Sequence, residues 1–202
     1  MAARVTIVDA GVGNLTSLCN AFRFIGVESE ITADPLVVVR AGRLVLPGVG
    51  AFGYAMRRLR ETGLDTAICE AAQHATPILG ICLGMQLLFE TSEEAPGESG
   101  LGLLAGGVKR ITAARKVPHT GWNQVALTRA AGLFRGLPTA GHAYFVHGYV
   151  CVPAYTADIC AVTDYGRPFA SAVERGLLFG VQFHPEKSQE FGLQILENFA
   201  EL

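Results

Sequence analysis

Three short segments carry residues that could act together as a thiol-dependent hydrolase. In Gly80-Ile81-Cys82-Leu83-Gly84 a cysteine stands between glycines, with an apolar strand-like run before it and an apolar helix-like run after it. That is the setting of a nucleophile elbow, in which glycines permit a sharp turn and the central side chain is exposed at the carboxyl end of a strand. A cysteine there also opens a helix, where unpaired N–H groups and the helix dipole favour thiolate over thiol. Phe183-His184-Pro185-Glu186 ends another short strand. Pro185 drives His184 toward an extended conformation, and in an extended chain residues i and i+2 share a face. Glu186 can then orient the His184 ring, so that Cys82, His184 and Glu186 supply nucleophile, base and orienting acid. Pro47-Gly48-Val49-Gly50 also follows a buried strand, and its glycines can turn backbone N–H groups toward a developing oxyanion. Each segment taken alone has a plainer reading: a buried cysteine in a glycine-rich turn, a surface histidine beside a glutamate, an ordinary turn. All three follow predicted strands, however, and open α/β sheets place their sites at the carboxyl ends of strands.

Other chemistries fit less well. His184 and Glu186 spell the HxE of zinc deaminases, which also need a PCxxC downstream, and the 16 residues after Glu186 contain no cysteine. No metal site is expected. Gly11-Val12-Gly13-Asn14-Leu15-Thr16 resembles half of a dinucleotide fingerprint, but Thr16 stands where the third glycine belongs. No cofactor is expected. His74 is read as a helix end, and His147, in Tyr144-Phe145-Val146-His147-Gly148-Tyr149, as packed rather than catalytic.

The elements that must position these segments are legible in outline. Arg4–Asp9 reads as a strand, followed by a helix capped by Asn14 or Thr16 and ended by Gly26. Val27–Thr32 and Arg43–Leu46 read as strands, 51–62 and 64–74 as helices, Pro77–Ile81 as a strand and Met85–Glu90 as a helix. Ser92–Gly102 reads as a polar loop. Beyond Gly100 come short strand-like runs at Val108–Ile111, Gly121–Leu127, Ala143–Val152, Asp158–Asp164, Pro168–Glu174 and Leu177–Phe183, then a helix over Ser188–Ala200. The expected fold is α/β: a flavodoxin-like, open, twisted, mostly parallel sheet with helices on both faces and antiparallel hairpins in the C-terminal half. Residues 1–202 are expected to form a single domain.

Composition narrows the classes further. The chain has 202 residues, a formal charge of −2, half its residues apolar and 17% charged, which excludes intrinsic disorder and leaves no basic footprint for nucleic acid. Mean hydropathy is +0.34, yet the longest apolar candidate, Gly80–Phe89, is ten residues and contains Gln86, too short to span a membrane. Met1–Asp9 is too short and too acidic for a secretory signal. The apolar excess is expected in a buried sheet or a partner interface. Five cysteines without a CxxC pair argue for a reducing compartment, and a cytoplasmic location is expected.

These motifs resemble the class I (triad) glutamine amidotransferases. The resemblance rests on Gly80–Phe89 and Gly180–Ser188, extended by Asp9–Asn14, Leu46–Phe52, Val117–Asn123 and Tyr144–His147, and it runs over nearly the whole chain. It implies that Cys82 attacks the side-chain amide of L-glutamine to give a thioester and ammonia, with His184 moving the proton and Glu186 orienting it. Val49, Gly50 and Leu83 would form the oxyanion hole, and Gln86, Glu94, Gly148 and Tyr149 would hold the substrate. The family usually carries Ser or Thr where this chain has Gly148, so a contact there is expected from backbone. The finer matches point to a branch that pairs as a heterodimer with a (β/α)8 cyclase subunit in histidine biosynthesis, with Asn14, Trp122, Tyr144 and Lys187 on the docking face. Three readings stay open here: a triad glutaminase for another synthase, a γ-glutamyl hydrolase, and a non-catalytic binding module.

Overall fold

A computed structural model of the chain describes residues 4–11, 13–112 and 116–202; Val12 of the glycine motif lies outside them. The main sheet has nine strands. Its first half takes β1 (Arg4–Val8), β2 (Glu28–Thr32), β3 (Leu44–Leu46), β4 (Ile78–Ile81) and β12 (Leu178–Val181), in the order β2-β1-β3-β4-β12, all parallel. This is the 2-1-3-4-5 order of flavodoxin-like sheets. β11 (Pro168–Arg175), β10 (Ile159–Asp164), β7 (His119–Leu127) and β8 (Ala140–His147) then extend it as antiparallel neighbours.

Helices cover both faces because both faces of the parallel half are apolar. α1 (Leu15–Phe24) and α6 (Gln189–Ala200) bury Leu18, Phe22, Ile195, Leu196 and Phe199 against Val5, Ile7, Val45 and Phe179. On the other face α2 (Pro35–Val39), α3 (Phe52–Thr62), α4 (Leu64–Gln73) and α5 (Leu83–Leu87) bury Val38, Met56, Leu59, Ile68 and Met85 against Leu44, Leu46 and Ile78. Asn14 caps α1, its Oδ1 accepting from the Ser17 N–H at 3.3 Å, and His74 stands at the C-terminal cap of α4.

The structure departs from the expectation in several places, among them the strand expected at Val108–Ile111, which runs Leu104–Arg110. α2 was not foreseen, although Asp34 accepts from the Leu36 N–H at 2.9 Å and Pro35 sits in its first turn, a start signal hidden by the shortness of the helix. The helix expected over Met85–Glu90 is Leu83–Leu87, and Phe89 already belongs to strand β5 (Phe89–Ser92). β5 pairs with β6 (Leu104–Arg110), which pairs with β9 (Tyr149–Pro153), in a second, three-stranded sheet; β5 also takes the first residue of the expected Ser92–Gly102 loop. The run Ala143–Val152 is therefore two strands in two sheets, parted at Gly148.

The tightest constraint lies at the elbow. A Cβ on Gly84 would stand 1.7 Å from the Leu46 carbonyl oxygen, and one on Gly80 would stand 2.7 Å from Gly84 backbone. Those glycines let α5 lie directly on β3 and β4. Gly84→Ala would add about 1 kcal/mol of helix propensity, but the clash is with backbone, which cannot swing aside, so overpacking wins. The expected net loss is about 3 kcal/mol or more, read from urea midpoints; a midpoint within about 1 kcal/mol of the parent would show that α5 has room to withdraw.

Candidate active site

Three neighbouring parallel strands deliver the three segments. β3 runs into Pro47–Gly50, β4 into Cys82, and β12 into His184 through Gln182 and Phe183. β4 lies between the other two, so Cys82 is centred, with the glycine loop on one side and the histidine on the other. The Cys82 N–H donates to the Val181 carbonyl at 2.8 Å, which continues the ladder up to the turn. Cys82 itself has φ +54° and ψ −107°. A residue with a Cβ in that region carries strain of roughly 1–3 kcal/mol, of the kind concentrated at functional sites. The Sγ atom lies 3.7 Å from Gln182 Nε2 and 3.9 Å from the Val146 carbonyl oxygen.

His184 and Glu186 meet as the i, i+2 spacing requires: Nδ1 lies 2.9 Å from Glu186 Oε1, and both side chains are buried. Pro185 opens a 3-10 turn at Pro185–Lys187, and His184 before it is extended, with φ −98° and ψ 98°. The backbone of His184 is tied to β8, its N–H donating to the Tyr144 carbonyl at 2.9 Å. Burial pulls the pKa of His184 down, but the Cys82 sulfur and the Glu186 carboxylate, each as hydrogen-bond partner and as charge, outweigh it and raise the value to about 9. The ring therefore holds a proton at neutral pH. Its buried Nε2 has no hydrogen-bond partner of regular geometry, as is common for such groups before a ligand is bound.

A cavity of about 350 Å³ opens over the sulfur, lined by Val49, Gly50, Cys82, Leu83, Gln86, Glu94, Gly148 and Tyr149, together with Pro118, Val146 and His147. Nucleophile, oxyanion and substrate residues named from the sequence thus share one space. Gly50 has φ +105°, and Val49 is exposed. Two expected contacts are otherwise engaged. The Leu83 N–H donates to the Gly48 carbonyl at 3.3 Å, so in this arrangement it does not point into an oxyanion hole. Glu94 Oε2 accepts from the Phe52 N–H at 2.8 Å, supplying α3 with the cap that Ala51 lacks; the same carboxylate still lines the cavity. Gly148 is open enough that a Cβ would meet only Val117, at 3.7 Å.

The four residues assigned to a docking face lie apart from the cavity floor. Trp122 is half exposed, its ring 6.3 Å from that of Tyr144, and Lys187 Nζ lies 5.7 Å above the Tyr144 ring. Asn14 borders a narrow gap with Leu18, Pro47, Gly48, Val49, His184 and Glu186. That gap runs from Asn14 to the His184–Glu186 pair.

The sequence reading missed Gln182, His119 and the cavity role of His147. Gln182 donates to the sulfur and accepts from Gln86 Nε2 at 3.1 Å. Strand alternation was the available signal, because Gln182 and His184 are two residues apart on one extended run.

The chain matches the family described as "Glutamine amidotransferase class-I" over residues 6–202, and it belongs to that family. Among curated relatives, the imidazole glycerol phosphate synthase subunit HisH of Moorella thermoacetica is 51% identical over 98% of this chain and 94% of its own length. The protein of the same name from Symbiobacterium thermophilum is 48% identical over 99% and 94%. A solved structure of PurLQS from Thermotoga maritima, only 20% identical, shares the fold with a TM-score of 0.78 over 100% of this chain and 99% of that one. Among the described residues no helix is long and apolar enough to cross a membrane.

Proposed function

We propose that Cys82 attacks the side-chain carbonyl of L-glutamine, that His184 delivers the proton on which ammonia leaves, and that water then hydrolyses the thioester to glutamate. The chain is the glutaminase subunit of imidazole glycerol phosphate synthase. It passes ammonia to a (β/α)8 cyclase subunit that forms imidazole glycerol phosphate and AICAR in histidine biosynthesis. The observation that carries the reaction is that three neighbouring parallel strands, β3, β4 and β12, lead into the glycine loop, Cys82 and the His184–Glu186 pair, with the glycine loop and the sulfur lining one cavity. A protonated His184 suits the step, because an amide nitrogen leaves only when it is protonated. Residues 1–202 act as one domain, in the cytoplasm, where five unpaired cysteines stay reduced.

Direct transfer has a chemical rationale. Ammonia released into water at neutral pH is mostly ammonium, which is no nucleophile, whereas a covered passage delivers it unprotonated. Trp122, Tyr144, Lys187 and Asn14 form the docking face. Because the His184 N–H bonds to the Tyr144 carbonyl and the gap beside Asn14 reaches Gly48 and Val49, docking bears on both sides of the triad.

The engaged Leu83 N–H motivates a rate prediction. With the Gly48 carbonyl occupying that donor, glutamine hydrolysis by the isolated chain is slow. Binding of the cyclase and its nucleotide ligand turns the Gly48–Gly50 backbone and frees the hole. One misplaced oxyanion donor costs about 10²–10³ in rate, so stimulation of that order is expected when glutamate release is measured with and without the cyclase. Equal rates would remove the coupling, and no hydrolysis in either case would remove the glutaminase reading itself. A γ-glutamyl hydrolase would instead turn over γ-glutamyl amides and peptides in preference to free glutamine.

A further inference from the structure

From His147 in the cavity wall a buried polar chain runs back that the reaction as described does not use. His119 and His147 face each other across β7 and β8, where they are register partners, and both are buried. His119 Nδ1 lies 3.0 Å from His147 Nε2, and His147 Nδ1 lies 2.8 Å from the Tyr149 carbonyl oxygen. A carbonyl only accepts, so His147 carries its proton on Nδ1. Burial pushes the His147 pKa down to about 3, so the ring is neutral and its Nε2 is an acceptor. His119 must then carry a proton on Nδ1 and donate it to His147. On its far side, Asn123 Nδ2 lies 3.3 Å from His119 Nε2 and donates to the Asp164 carbonyl at 2.8 Å, while Asn123 Oδ1 accepts from the Gln124 N–H. The donors within this chain thus run from Asn123 through His119 and His147 to the Tyr149 carbonyl.

The same carbonyl accepts from Gln86 Nε2 at 3.2 Å, and Gln86 Nε2 also donates to Gln182 Oε1 at 3.1 Å. Both amide protons of Gln86 are therefore engaged with acceptors. The polar atom that Gln86 retains for the cavity it lines is Oε1, an acceptor, suited to the ammonium or carboxamide N–H groups of an amino-acid amide. A rotated Gln86 would present donors instead. The orientation depends on the Tyr149 carbonyl staying where His147 holds it.

Resting on the reading of this cavity as the glutamine site, we propose that His147, backed by His119, is a positioning residue for substrate binding: it anchors the Tyr149 carbonyl and so holds Gln86 with its amide oxygen toward the substrate. Neither imidazole takes part in proton transfer.

The test uses the assembled complex with the cyclase and compares His147→Asn with His147→Gln. An asparagine amide reaches the position of Nδ1 and keeps a donor for the Tyr149 carbonyl; a glutamine amide reaches the position of Nε2 and does not. Both lose the ring and its packing on Phe145 and Phe169. The expected result is a KM for glutamine within about threefold of the parent for His147→Asn and raised about tenfold for His147→Gln, the effect of one hydrogen bond, with kcat little changed in either. Co-elution of each variant with the cyclase in the parent's proportion shows folded, docked subunits. Equal KM values for the two variants, or a fall in kcat without a change in KM, overturn the inference while leaving the glutaminase reading intact. Absence of glutamine turnover by the parent complex overturns that reading instead. Should the His147 variants fail to assemble, His119→Asn and His119→Gln pose the same comparison, because His119 reaches His147 through Nδ1; the same order of KM is expected, and equality again overturns it.

Discussion

Replacing Cys82 with alanine abolishes glutamine-dependent synthesis by the complex, with a loss on the order of 10⁶ in kcat, as when the nucleophile of a triad is removed. Ammonia-dependent synthesis survives, because the cyclase carries out its own chemistry on whatever ammonia reaches it. The pairing of those two outcomes is the strong part of the prediction. Co-elution of the variant with the cyclase separates loss of the nucleophile from a failure to fold or dock. The backbone supplies a second readout. Cys82 holds φ +54°, a conformation that costs a residue with a Cβ roughly 1–3 kcal/mol and glycine almost nothing. Cys82→Gly should therefore unfold at higher urea than Cys82→Ala, by about 1 kcal/mol, although both are inactive. Glutamine-dependent turnover surviving in either variant would mean that the sulfur is not the nucleophile; equal urea midpoints would mean that the turn relaxes without its native strain.

Glu186→Gln produces the other large effect, about 10⁴ in kcat, the scale on which an orienting acid acts in a triad, together with a shifted pH profile. The pKa of His184 is raised from 6.5 to about 9 against the opposing pull of burial, with the Cys82 sulfur and the Glu186 carboxylate both contributing. A raised value means that the ring is protonated below about pH 9 and loses its proton above it. The basic limb of kcat/KM in the parent should accordingly fall near pH 9. Without the carboxylate, burial gains ground and the limb moves toward lower pH. The linked stability has a matching sign. The contribution from charging His184 is fully present below pH 6.5 and fades as pH rises from 6.5 to about 9, so the parent loses stability across that window and the glutamine variant loses less. Rates measured from pH 6 to 10 and urea midpoints at pH 6 and 9 check both; an unmoved basic limb would show that Glu186 does not set the protonation of the ring.

The outcome for the fold separates local from non-local information. Much of the parallel half of the sheet was legible because β1, β3 and β4 are short, mainly apolar runs with Gly11, Pro47 and Gly84 soon after them, and its helices carry their own starts and stops, such as Asn14 before α1 and Gly63 after α3. The second sheet was not. Phe89–Ser92 follows a helix without a break, and it becomes a strand only because Leu104–Val108 lies beside it. Likewise Ala143–Val152 reads as one run, and nothing in its composition says that Gly148 divides it between two sheets.

By itself the sequence named the candidate reacting groups. Cysteine between glycines at a strand end, histidine before proline and glutamate two residues on can each be read from local geometry, since turn, extension and alternation are properties of a few neighbouring residues. Tertiary structure alone decided how those groups are held. The partner order of strands places Cys82 between the glycine loop and His184; packing of α5 on β3 demands Gly84; the Gly48 carbonyl engages the Leu83 N–H; and the pairing of β7 with β8 brings His119 onto His147. The physical reason is the same in each case. Hydrogen-bond direction, burial and the pKa shifts they cause depend on groups dozens of residues apart in the chain, whose closeness exists only after the sheet has formed.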